Sequence, residues 1–170
     1  MREPRQVTTR ALGPDFAVGP AERYFEDYVP GAIYEYGERT VSEHEIIEFA
    51  TAFDPQDFHV DAAAAAAGPF GGLIASGFHS AALAMRLLAD HYVSWVASLG
   101  SPGLDSLAWP APLRPGDRVR LRTEVLEARA SSSKPDRGIV RTQVQLLTGG
   151  DAVVLEATIV NLLARRPASP

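Results

Sequence analysis

The chain has 170 residues, 46% of them hydrophobic and 22% charged, which suits one ordinary globular domain with a core of its own. It contains no cysteine, and this excludes disulfides, thiolate nucleophiles and cysteine-ligated zinc or iron–sulfur centres. With 16 basic against 21 acidic side chains the net charge is −5, which argues against nucleic acid or an anionic membrane surface as a partner.

Residues 1 to 22 show neither helical nor strand periodicity and read as an extended or disordered arm. The opening run Met1-Arg-Glu-Pro-Arg-Gln has no apolar core of the kind a secretory signal carries, so a soluble, cytoplasmic protein is expected. The folded domain is expected over residues 23 to 164. Ile33 to Val41 alternates as a strand. Ser42 and Glu45 then fit a capping box, in which each side chain meets the other residue's free backbone N–H. Ile46, Ala50 and Phe53 follow at helical spacing. Asp61 can cap a short helix through the alanines at 62 to 67, and Gly68 stops it.

A long helix is expected from about Ser76 to Leu99, apolar around most of its circumference. Such a helix is normally enclosed by other structure, and Arg86, Asp90 and His91 make it a core helix rather than a membrane span. Strand character returns at Leu104–Trp109, Arg118–Glu127, Gly138–Leu147 and Val153–Leu163. Leu113-Arg-Pro-Gly-Asp117 reads as a turn and Thr148-Gly-Gly-Asp151 as a hairpin connection. Residues 165 to 170 read as a frayed tail. An antiparallel sheet of about five strands wrapped around the long helix satisfies this order, an α+β domain of the hot-dog architecture. One sheet face covers only part of the helix. Pairing as a homodimer, or a higher homo-oligomer, is expected to cover the remainder.

The densest cluster of reactive side chains runs from Phe53 to Asp61 and holds Asp54, Asp57, His59 and Asp61. Pro55 cannot continue the preceding helix, so Asp54 and His59 can face one cleft across a defined loop and share a water. A carboxylate beside an imidazole raises its basicity and fixes its tautomer, which suits proton transfer near neutral pH. The same residues also fit a capped, solvated loop in which His59 fills a gap. As oxygen and nitrogen donors they fit a cation site too, but their spacing lacks the glycine and terminal glutamate of an EF-hand loop, and no metal is expected. Further on, Gly77 stands at the start of the long helix. The first N–H groups there are unpaired and the macrodipole is positive, so an oxygen gaining negative charge would be stabilised. The plainer alternative gives Gly77 a packing role and makes Ser76 an N-cap.

The stretch FATAFDPQDFHVD…GPFGGLIASGFHSAALAMRLL resembles the MaoC-like dehydratases, the hot-dog family that includes (R)-specific enoyl-CoA hydratases. The family's Asp-x-Asn-Pro-x-His-x-Asp motif falls on Asp54, His59 and Asp61, and its helix-start glycine on Gly77. The Leu-Arg-Pro-Gly-Asp117 turn matches as well, and the similarity spans about residues 25 to 164. The resemblance implies hydration of a 2-enoyl-CoA to a 3-hydroxyacyl-CoA, or the reverse. Asp54 and His59 would hold the water, the Gly77 N–H would stabilise the thioester oxygen, and Gln56, Phe58, Phe70, Ser76 and Phe78 would contact substrate. It implies no separate cofactor, because coenzyme A or an acyl carrier arrives as part of the substrate. Gln56 stands where asparagine is usual, Asp57 where proline is, and Ser76 where histidine is; a serine on some members' central helix maps near Met85.

Two other readings stay open: a hot-dog acyl-CoA thioesterase, and a non-catalytic acyl-binding or partner subunit. Arg114, Arg118, Arg120 and Arg122 form either a solvated strand face or a patch for coenzyme A phosphates. Trp95 and Trp109 read as core or dimer-interface residues. His44 reads as a surface residue, His91 as a core or interface residue, and His79 as either cleft or core.

Overall fold

Strands form where side chains alternate between a buried and a solvated face. In β4 (Arg118–Ala130) Val119, Leu121, Thr123 and Val125 are buried, while Arg118, Arg120, Arg122 and Glu124 point to the other side. The same period carries through β5 (Arg137–Thr148) and β6 (Val153–Ala164). With β2 (Ala32–Thr40), β3 (Gly103–Ala108) and the two-residue β1 (Arg10–Ala11) they build one six-stranded sheet in the order β1-β2-β4-β5-β6-β3. β2 to β6 pair antiparallel throughout, and β1 runs parallel to β2. The computed structural model describes residues 16–168 and the backbone of residues 10 and 11. The expectations for residues 1–9, 12–15 and 169–170 lie outside the described residues.

Four α-helices lie between β2 and β3: α1 (Glu43–Phe53), the single turn α2 (Asp57–Val60), α3 (Ala62–Ala67) and α4 (Gly77–Leu87). The capping box forms at α1: Ser42 Oγ accepts from the Glu45 N–H, and the Glu45 carboxylate accepts from the Ser42 N–H. α4 packs on β5 and β6 and buries Leu83, Ala84 and Leu87 in the core. A helix seated on one face of an antiparallel sheet is the hot-dog, α+β arrangement. Among the described residues no helix is long and apolar enough to cross a membrane.

The central helix is shorter than its apolar pattern suggests. It ends at Leu87, passes through a π-helical turn over Leu88–Tyr92, and becomes extended at Val93. The cause lies elsewhere in the chain. The Arg23 guanidinium donates to the carbonyls of His91 and Tyr92, which a continuing helix would need for its own N–H groups. Ser94 Oγ accepts from the Ala97 N–H, and residues 97 to 99 then hydrogen-bond to the end of β6.

The expected arm is packed where it is described. Phe16 is buried, stacks on Tyr34 with ring centroids 4.1 Å apart, and has the Arg23 guanidinium carbon 3.5 Å from its ring centre. Phe16, on the expected arm, is thus part of the core. The expected frayed tail is likewise tied at its start, where Arg165 pairs with Glu26 and Arg166 with Asp27. On the solvated sheet face Arg118 pairs with Glu38, and Arg120 with both Glu35 and Asp151. This part of the arginine row is neutralised by its own neighbours.

Candidate active site

The site is built by a helix that must stop. Asp54 closes α1, its N–H still donating to the Ala50 carbonyl at 2.8 Å, and Pro55 prevents another turn. The chain then folds into the one-turn helix α2, which turns His59 inward until it is 5% exposed. His59 Nδ1 lies 2.8 Å from the Ile74 carbonyl oxygen. A carbonyl only accepts, so Nδ1 carries the proton and, in the neutral ring, Nε2 presents a lone pair. Nε2 stands 3.4 Å from Asp54 Oδ2.

The Asp54 carboxylate is held at both oxygens. Ser76 Oγ donates to Oδ2 and Gln56 Nε2 donates to Oδ1, each at 2.7 Å. These two bonds, the serine's first, keep the Asp54 carboxyl below the usual carboxylate range. Asp54 is therefore an anion across the neutral range. Ser76 is fully buried and also caps α4, its Oγ accepting from the Phe78 N–H at 3.3 Å. The next residue, Gly77, is the first of α4, where a backbone N–H has no intrahelical partner.

His59 and Gly77 line one cavity of about 360 Å³ together with Phe58, Phe70 and Trp109. Most of its wall is apolar. Asp54 is not part of this lining and stands beside His59. Gln56 is exposed and serves Asp54, and Ser76 is sealed behind it. Phe78 is 64% exposed and meets the Trp109 ring edge to face outside the cavity wall. Asp61 caps α3 through the N–H groups of Ala63 and Ala64, and Asp57 is exposed. His79 stacks on Phe49 outside this cavity, and burial pushes its pKa down. His44 is exposed beside Glu48. Met85 lies in a separate apolar groove between α4 and the sheet.

Two members of the cavity wall carry no local signal in the sequence. Trp109 reaches the helix start from β3's far end, its Nε1 donating to the Gly77 carbonyl at 2.8 Å. A Cβ at position 77 would come within 2.6 Å of its ring, so the glycine is required by this approach. Ser80, buried one turn into α4, also lines the cavity. An isolated serine in a helix gives no hint of that.

The model of the MaoC like domain matches residues 28–146. The chain is 34% identical over 127 residues to the 3-hydroxyacyl-thioester dehydratase Z of Mycobacterium tuberculosis, covering 74% of this chain and 84% of the relative. Its structure is similar to that of a MaoC-like dehydratase from Rhodospirillum rubrum, at 39% identity and a TM-score of 0.78, covering 85% of this chain and 99% of that one. A Mycobacterium tuberculosis protein with a double hotdog fold is alike in fold alone, at 20% identity and a TM-score of 0.74, covering 89% of this chain and 46% of that one. The matched region includes the whole stretch from Asp54 to Gly77, and the chain belongs to the MaoC-like domain family.

Proposed function

We propose that this protein is a hydro-lyase that interconverts a 2-enoyl thioester plus water with a 3-hydroxyacyl thioester. The observation that carries the reading is an imidazole, paired with the ionised Asp54 carboxylate, that lines the same apolar cavity as Gly77 at the start of α4. Two relatives above 30% identity are named as dehydratases, which supports the same reaction class.

The thioester carbonyl oxygen takes the Gly77 N–H, and the acyl chain takes the apolar wall formed by Phe58 and Phe70. A water held between His59 Nε2 and the Asp54 carboxylate gives a proton to Nε2 as its oxygen bonds to Cβ. The double-bond electrons move to the thioester oxygen, where the helix-start N–H stabilises the enolate charge. The imidazolium, steadied by the Asp54 anion, returns its proton to Cα. Dehydration is the same path reversed. The acyl group arrives on coenzyme A or on an acyl carrier, and no further cofactor takes part in these steps.

The active form is a homodimer. Its support is an apolar stripe on the outer side of α4, with Phe78 and Met85 64% and 50% exposed, beside the edge strand β3.

Loss of the enoyl-thioester ultraviolet band on crotonyl-CoA and longer enoyl-CoA substrates tests the reaction. Asp54→Asn and His59→Gln should each lower kcat by about two or more orders of magnitude. Release of free thiol without loss of that band would move the chemistry to the thioester carbonyl and make the protein a thioesterase. Thioester binding without turnover by the intact protein would make it an acyl-binding subunit.

A further inference from the structure

The geometry points to Ser76 as a positioning residue that fixes the Asp54 carboxylate, so that His59 alone carries the proton; this rests on the hydro-lyase reading above. Ser76 has no solvent exposure and touches no substrate. Its hydroxyl has one proton to give, and that proton goes to Asp54 Oδ2 at 2.7 Å. Oδ2 is the same oxygen that stands 3.4 Å from His59 Nε2. Gln56 holds Oδ1, so the carboxylate cannot turn about its own axis, a rotation that is otherwise soft for aspartate.

The arrangement also sets which group is charged. The Ser76 and Gln56 donors bond a carboxylate more strongly than a protonated carboxyl. Both bonds therefore favour the anion. The imidazole has a different environment: Nδ1 is committed to the Ile74 carbonyl, and Nε2, beside Asp54 Oδ2, keeps a lone pair able to take a proton. An aspartate and a histidine could in principle share the proton-carrying role, and the serine resolves it.

The same oxygen has a second use. It accepts from the Phe78 N–H and so caps α4, whose first residue supplies the free N–H of Gly77. One side chain thus ties the dyad's carboxylate to the end of the helix where the thioester oxygen gains charge. Any shift of the helix start relative to Asp54 has to stretch a bond to Ser76.

Glycine is nearly as good an N-cap as serine, so Ser76→Gly removes the hydroxyl while leaving the helix end intact. Ser76→Thr keeps the hydroxyl. Three readouts separate positioning from a purely structural role: kcat against KM on an enoyl thioester, thermal unfolding, and the titration of the Asp54 carboxyl carbon followed by carbon-13 NMR. In Ser76→Gly, kcat should fall roughly ten- to a hundredfold, the cost of one hydrogen bond to a charged group. KM should hold, the melting temperature should fall by no more than the loss of the Asp54 bond accounts for, and the Asp54 midpoint should move up. Ser76→Thr should restore the wild-type midpoint. A Ser76→Gly protein with the wild-type Asp54 midpoint overturns the inference, as does a Ser76→Thr protein that titrates like the glycine variant. The NMR titration needs no substrate. A wild type that hydrates no enoyl thioester would sink the proposed reaction while leaving Ser76 to be judged by its effect on Asp54.

Discussion

At Gly77 the absence of a side chain is dictated by a neighbour 32 residues away. An alanine there places Cβ against the Trp109 ring, breaks the bond from Nε1 to the Gly77 carbonyl and displaces the helix start. Overpacking of this kind costs roughly 1–3 kcal/mol, and the partly exposed ring places the effect at the lower end. Gly77→Ala should therefore lower the urea midpoint modestly, lower kcat more, and alter tryptophan fluorescence. Adding Trp109→Ala should recover the stability but not the activity. Asp54 gives a prediction with a sign. Its pKa is depressed in the folded protein, so its ionisation contributes stability that is present above the unfolded value and lost as pH falls through the folded one. Stability should decline with acid below about pH 4, and Asp54→Asn should flatten that decline in pH-dependent denaturation curves. The loop from Asp54 to His59 and the helix start at Gly77 were legible in the sequence, the loop through Pro55, but only the family resemblance singled out these three residues as a site. Ser76's bond to Asp54 and Trp109's approach were not legible, since both arise from packing across tens of residues.

The elements show the same division. The strands match their alternation to within a few residues, because the period of two reports a half-buried surface directly. The end of the central helix was not legible. Apolar residues continue beyond Leu87, but the chain turns because Arg23, from the other side of the molecule, takes the carbonyls of His91 and Tyr92. Its other terminal nitrogen donates to the Val18 carbonyl. Arg23 was unremarkable in the sequence, a single cation near the start of the domain, and three main-chain acceptors now depend on it. Arg23→Ala removes three hydrogen bonds from a charged donor, leaving the Tyr92 carbonyl only the Tyr28 hydroxyl, and should destabilise by on the order of 3 kcal/mol in urea unfolding. Arg23→Lys should recover only part of this, because an ammonium lacks the planar fork that spans all three acceptors. A loss below about 1 kcal/mol for the alanine variant would mean that the turn is set by the residues 93 to 99 themselves.

At the scale of the whole molecule, the outer side of α4 is an uncovered apolar surface among the described residues. The helix is covered by the sheet on one side, while Phe78 is exposed at its start and Met85 and Leu104 remain exposed around a groove floored by Leu155 and Ile159. β3 closes the sheet on that side, and an edge strand offers unpaired backbone groups to a second strand. The solvated sheet face is instead charged, with Arg118 and Arg120 paired to neighbouring carboxylates. A second copy brought β3 to β3 would extend the sheet and cover both stripes. It would also stand near the Trp109 and Phe78 rings beside the helix start, so dimerisation and activity should fall together. Leu104→Asp puts a charge on the stripe at a position 52% exposed in the single chain, where it costs the monomer little. Sedimentation should show the wild type as a dimer and Leu104→Asp as a folded monomer with reduced hydration activity. A variant that sediments and turns over like the wild type would place the contact between copies elsewhere.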